Sequence, residues 1–141
     1  MLFRSRGLFN CFPPNSILGN PIDDWIVAGR DGGSWQGPGG ITSGAVIDDA
    51  AAGVPRSVGW IEPGDGSVTF GYAASGDTNL DWMVDVLDSA NFLAGGKLDS
   101  GTPASWNEGD FTYDGFVDVL DAAAFLSTGL LDTGQIGRAH V

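Results

Sequence analysis

The sequence predicts an α+β chain: a small Gly/Trp-rich β segment followed by two loop–helix units whose helices run antiparallel. Three observations carry this. The stretch that opens at Asp77 returns at Asp110, an offset of 33 residues (110 − 77 = 33) that persists to Leu131-Asp132-Thr133-Gly134, the copy of Leu98-Asp99-Ser100-Gly101. Two β-branched and aromatic runs, 57–61 and 67–72, flank the turn Pro63-Gly64-Asp65-Gly66. Each copy of the repeat then shows apolar residues at helical spacing: Val86, Ala90 and Leu93, and again Val119, Ala123 and Leu126.

The balance of 18 acidic against six basic side chains, a net charge of −12 over 141 residues, suits one small domain or two very small ones. It excludes a nucleic-acid binder, which must neutralise phosphates. No run approaches the roughly 18 apolar residues of a membrane span, so no membrane span is expected. The single cysteine, Cys11, excludes an internal disulfide. Arg4 and Arg6 before Leu8-Phe9 begin like a secretory leader, but Asn10 and Pro13-Pro14 break the apolar run. Residues 1–21 are therefore expected to be a poorly ordered or spurious N-terminal segment.

Residues 22–75 are expected to form a small β-rich spacer. Trp25-Ile26-Val27-Ala28 suggests a short strand, and the Gly-rich stretch 29–40 an ordered loop pinned by Trp35. Ser43 is placed to cap a short helix over 45–52, and 57–72 is a hairpin. Its tryptophans have two readings, core residues or a carbohydrate platform.

Residues 76–134 carry the chemistry. The first copy places Asp77, Asn79, Asp81, Asp85 and Asp88 at positions 1, 3, 5, 9 and 12 of a twelve-residue loop, and the second places Asp110, Thr112, Asp114, Asp118 and Asp121 there. Met83 and Phe116 offer backbone carbonyls at position 7. A hard cation the size of Ca²⁺ takes about six to eight oxygens, and this spacing supplies them. A merely solvated acidic face would need neither the oxygen at position 3 nor the same phase twice. Two bound Ca²⁺ ions are expected. Eight of the 18 acids are then ligands, and two divalent ions bring the net charge from −12 to −8. Val84 and Val117, at position 8, are expected to pair across the two loops. Helices are expected from Val86 to Ala94 and from Val119 to Ser127, stopped by Gly95-Gly96 and Gly129, with Phe92 and Phe125 in a shared core.

The duplicated pattern, with Asp rather than Glu at position 12 and no helix before either loop, resembles the type I dockerin. Trp82 stands where that family has Gly at position 6, Thr112 is a weaker ligand than Asn or Asp, and the helices lack the basic residues usual in cellulosomal members. The resemblance implies a pair of Ca²⁺ loop–helix motifs that attach an extracellular protein to a cohesin-like partner. By the same resemblance, the contact residues at positions 10 and 11 are Val86, Leu87, Val119 and Leu120. More weakly, residues 22–75 resemble the Gly/Trp-rich region that often precedes such repeats at the C-terminal end of large bacterial extracellular proteins.

Residues 135–141 look like a translated sequencing adapter and hold the single histidine, His140, so no histidine-dependent site is expected. Paired carboxylates can hydrolyse glycosides, but nearly all the acids after Gly76 are committed as metal ligands. The expected function is a non-catalytic, calcium-binding attachment module, extracellular or at the cell surface. The alternative is a calcium-rigidified fragment of a larger secreted polysaccharide-degrading enzyme or surface stalk.

Overall fold

The computed structural model describes residues 2–3, 8–11, 21–63, 65–134 and 136. The chain runs β1 (Leu2–Phe3), β2 (Leu8–Cys11), α1 (Pro21–Arg30), β3 (Thr42–Ser43), α2 (Gly44–Ala51), β4 (Ser57–Ile61), β5 (Val68–Ala73), α3 (Val86–Ala94) and α4 (Val119–Ser127). Single 3₁₀ turns lie at Asp31–Gly33 and Trp106–Glu108. The class is α+β.

The expected hairpin supplies two strands of an antiparallel sheet of order β2-β5-β4, with Trp60 opposite Phe70 and Val58 opposite Tyr72. The third strand, β2, comes from the segment expected to stand outside the fold: Leu8 to Cys11 pair with Gly71 to Val68. A second, parallel pair joins β1 to β3. Ser43 caps α2 as expected, its hydroxyl accepting from Val46 N at 3.2 Å. Tyr72 then ties β5 to that helix by donating to Asp49 Oδ2 at 2.6 Å.

Residues 25–28 are helical rather than extended. Pro21 suits a first helical turn, Asp23 and Asp24 favour its N-terminal end, and Arg30 its C-terminal end. Ile22 and Ile26, four residues apart, bury one face. The β-branched Ile26-Val27 pair signals a strand locally, and the burial of this face overrides it. Close backbone contact explains the glycines that follow. A Cβ on Gly29 would lie 1.7 Å from Ile41 O, and one on Gly40 would lie 2.1 Å from Gly29 N. Trp35 is buried in this loop at φ 57°.

Helices α3 and α4 begin and end where the sequence places them, with Gly96 and Gly129 left-handed just beyond. Their buried residues are Asp88 and Phe92, and Asp121 and Phe125, and the two phenylalanine rings stack at 5.9 Å. One hydrophobic core runs from Ile22 and Ile26 through the hairpin to Leu80, Phe111, Tyr113 and the helices. Trp106 sits at its middle with 0% exposure, touching Trp60, Phe111 and Tyr113. Trp35 and Trp60 are core residues as well, so no tryptophan platform forms from them.

Two expectations near the loops change. Val84 and Val117 do not bond to each other: Asp132 N donates to Val84 O and Asp99 N to Val117 O, both at 2.8 Å. These bonds obey the repeat, since the tail of each copy reaches the loop of the other. Ile136, set aside with the C-terminal tail, is buried and donates its N–H to Trp82 O at 2.6 Å. Residues 135 and 137–141 lie outside the described residues, as do most of 1–20.

Because Trp106 touches both halves of the core, Trp106→Ala should lower unfolding free energy by about 3–5 kcal/mol. Urea unfolding followed by circular dichroism measures it. Amide exchange should quicken in β4 and β5 together with α3 and α4; quickening confined to the helices would mean that the two halves do not share a core.

Candidate metal centre

Each loop is drawn around its first carboxylate. Asp77 Oδ1 and Oδ2 accept from Asp81 N and Trp82 N, both at 3.2 Å, and Asp110 Oδ1 and Oδ2 accept from Asp114 N at 3.2 Å and Gly115 N at 2.8 Å. Aiming the position 6 N–H inward turns the backbone left-handed. Gly115 adopts φ 88° without steric cost, whereas Trp82 adopts φ 66° with its Cβ crowded. The loop thus keeps its turn despite the bulky residue.

The next oxygens follow the same order. Asn79 Oδ1 accepts from Asp81 N at 3.0 Å. Asp81 Oδ1 accepts from Met83 N at 2.9 Å, and Asp114 Oδ1 from Phe116 N at 3.0 Å. Among the described residues, no hydrogen bond ends on Met83 O or Phe116 O, which keeps both position 7 carbonyls free as donors to a cation.

Positions 9 and 12 join loop to helix. Asp85 Oδ1 accepts from Leu87 N and Asp118 Oδ1 from Leu120 N, each at 2.7 Å. Asp88 Oδ2 accepts from Asp85 N and Asp121 Oδ2 from Asp118 N, each at 2.9 Å, which closes a capping box on both helices. The other oxygens, Asp88 Oδ1 and Asp121 Oδ1, accept from Thr78 N and Phe111 N at position 2, both at 2.8 Å. An ionised carboxylate has about four lone-pair sites, so these bonds orient it and leave it able to bind.

The second loop is the better gathered. Asp110, Asp114 and Asp121 offer oxygens that lie within 4.8 Å of one another. Thr112 N donates to Asp121 Oδ1 at 2.8 Å, yet the Thr112 hydroxyl oxygen is buried and has no hydrogen-bond partner among the described residues. In the first loop Asp81 Oδ2 is held instead by Asn79 Nδ2 at 3.0 Å.

Burial makes the first carboxylates hard to ionise. It pushes Asp77 up to about 8, with the charges of Asp88 and Asp81 adding to the effect. It pushes Asp110 up to about 6, where Asp121 and Asp114 add and the Gly115 N–H opposes. The donor set fits a hard cation: carboxylate, carboxamide, hydroxyl and carbonyl oxygens, with no thiolate or imidazole.

The anticipated contact residues lie elsewhere. Val86 and Val119 are 69% and 67% exposed, and Leu87 and Leu120 are similarly open. So are Leu93 and Leu126, which share the helical spacing of Val86 and Val119. Sequence reasoning missed Leu80 and Tyr113 at position 4, both buried at positive φ, and Asp99 and Asp132, which supply the cross-loop bonds. The signal for the last pair was present in the repeat itself. No family model, curated protein or solved structure matches this chain.

Asp77 and Asp110 have raised folded-state values, so their contribution to the cation-free fold is present at low pH and is lost as pH climbs through about 6 and about 8. After removal of divalent cations, the melting temperature should fall between about pH 4 and about pH 8; were calcium held by the same oxygens, it would instead rise, because protons would compete with the cation. A flat profile without cations would contradict this. At position 6, Trp82→Gly relieves roughly 1–2 kcal/mol of left-handed strain, and any calcium affinity of the first loop should tighten on calorimetric titration. Weaker binding would mean that the Trp82 ring itself supports the loop.

Proposed function

We propose that residues 76–134 form a dockerin-like module that takes two Ca²⁺ ions and attaches the chain to a cohesin-like extracellular protein. One observation carries the calcium reading: three carboxylates converge within 4.8 Å beside a threonine whose hydroxyl oxygen is buried and unpartnered. Leaving such a group unsatisfied costs about 1–3 kcal/mol. A cation that accepts its lone pair removes that cost and neutralises the carboxylates around it. Asp77, Asn79, Asp81, Asp85 and Asp88 with Met83 O would hold the first ion. Asp110, Thr112, Asp114, Asp118 and Asp121 with Phe116 O would hold the second.

The attachment reading draws on the outer faces of α3 and α4. Val86, Leu87, Leu93, Val119, Leu120 and Leu126 are all exposed on two nine-residue helices. Between the helices runs a groove of about 170 Å³ lined by Ser89, Phe92, Leu93, Ala122, Phe125 and Leu126. Clustered apolar exposure on a small chain marks an interaction surface. The second reading, a calcium-rigidified end piece of a larger secreted enzyme or stalk, has support in the core shared by the loops and residues 22–75.

Chelation should lower the helical circular dichroism signal and calcium should restore it; unchanged helicity would remove the calcium reading. Polar replacement of Val86, Leu87, Val119 and Leu120 should abolish binding to cohesin-like domains in a calorimetric panel while calcium affinity stays within a few-fold, since no ligand is altered. Because these side chains are exposed, the melting temperature should barely move. Absence of binding by the unaltered chain would favour the stalk.

A further inference from the structure

The residue at position 4 of each loop leaves the metal-binding turn and enters the hairpin. Tyr113 is buried there, its hydroxyl donating to Val58 O at 2.9 Å. Its ring meets Trp35 edge-on at 5.7 Å and Trp60 and Trp106 at 5.6 Å each, and the Arg30 guanidinium lies 4.8 Å from its centroid. Leu80 reaches the next residue of the same strand. A Cβ on Gly59 would stand 2.8 Å from Leu80 Cδ2 and 2.4 Å from Trp106 Nε1. That nitrogen donates to Asp77 O at 3.0 Å, the backbone of the first ligand of the first loop. Three consecutive residues of β4, Val58, Gly59 and Trp60, thus stand over both loops, through direct contact or through Trp106.

Position 4 lies between the ligands at positions 3 and 5. Fixing Leu80 at φ 57° fixes the directions of Asn79 and Asp81, and fixing Tyr113 at φ 66° fixes those of Thr112 and Asp114. Val84 and Val117 do not bond to each other, since their carbonyls accept from Asp132 and Asp99. We infer that β4 is a brace that positions both calcium loops, with Leu80 and Tyr113 as its positioning residues, so that an ion entering one loop raises the affinity of the other. This rests on the calcium reading above. An ion that fixes one loop would hold its position 4 residue against β4, and β4 would in turn hold the position 4 residue of the other loop.

Calorimetric calcium titration of the full, cation-stripped chain tests it. Couplings of this kind are about 5–150-fold, and about tenfold is expected here. Asp121→Asn, which disables the second loop, should then weaken the first loop by about tenfold. Gly59→Ala drives a methyl group into Trp106 and Leu80 and should weaken both loops and abolish their coupling. Tyr113→Phe, a milder change that removes the bond to Val58 O, should weaken the untouched first loop at a temperature where circular dichroism shows the variant folded. A merely structural role for Tyr113 would lower the melting temperature and leave that affinity alone. Two ions binding independently, with both affinities within about twofold of wild type in Gly59→Ala or, where that variant does not fold, in Tyr113→Phe, overturns the brace and leaves the calcium reading standing. No calcium uptake by the wild type overturns both.

Discussion

Four carboxylates in the interior set the terms for the rest of the molecule. Asp77, Asp88, Asp110 and Asp121 are all buried, and each accepts at least two backbone N–H groups of its own loop. Those bonds hold position 1 against positions 5 and 6, and position 12 against positions 2 and 9. The start of each helix is therefore fixed by a group that water would otherwise solvate. Burying a charge without a partner is costly, and for Asp77 and Asp110 a proton or a cation would relieve that cost. The values of Asp77 and Asp110, raised to about 8 and about 6, register the first choice. The arrangement of oxygens would suit the second, as the calcium proposal requires.

Duplication answers a problem that one unit cannot solve. A nine-residue helix is too short to be stable alone, and α3 and α4 each bury little beyond one aspartate and one phenylalanine. Each unit completes the other. Phe92 stacks on Phe125, and the paired bonds from Asp99 to Val117 O and from Asp132 to Val84 O bind the tail of one copy to the loop of its twin. A Cβ on Gly76 would fall 2.8 Å from Phe125, and one on Gly109 2.6 Å from Phe92, so each loop also begins against the helix of the other copy.

What was legible in the sequence follows from how locally each feature is determined. The ends of α3 and α4, the hairpin and the Ser43 cap depend on residues within about sixteen of one another, and the structure has them where the pattern placed them. Features set by distant partners were not legible. Helix α1 was hidden because its Ile-Val pair favours a strand until Ile22 and Ile26 find a core. The pairing of Val84 with Val117 fails because each carbonyl has a nearer donor in the opposite tail. The stripe of Val86, Ala90 and Leu93 has helical spacing yet faces outward, because Asp88 and Phe92 claim the inner face. Periodicity shows that a face exists and cannot say which side the core is on. Tyr113 escaped notice because nothing in the twelve-residue pattern constrains position 4.

The two loops are alike in their oxygens and unlike in their surroundings, and under the calcium proposal this difference would give them an order. The second loop already gathers three carboxylates, turns on a glycine and needs Asp110 to lose a proton bound at about 6. The first must pull Asp81 from the Asn79 amide, turns on a strained Trp82 and needs Asp77 to lose a proton bound at about 8. At neutral pH a cation therefore meets less opposition in the second loop. Tyr113, at position 4 of that loop, presses on the strand that also holds Leu80 and, through Trp106, Asp77. Under that proposal the easier site would hold the scaffold on which the harder one depends.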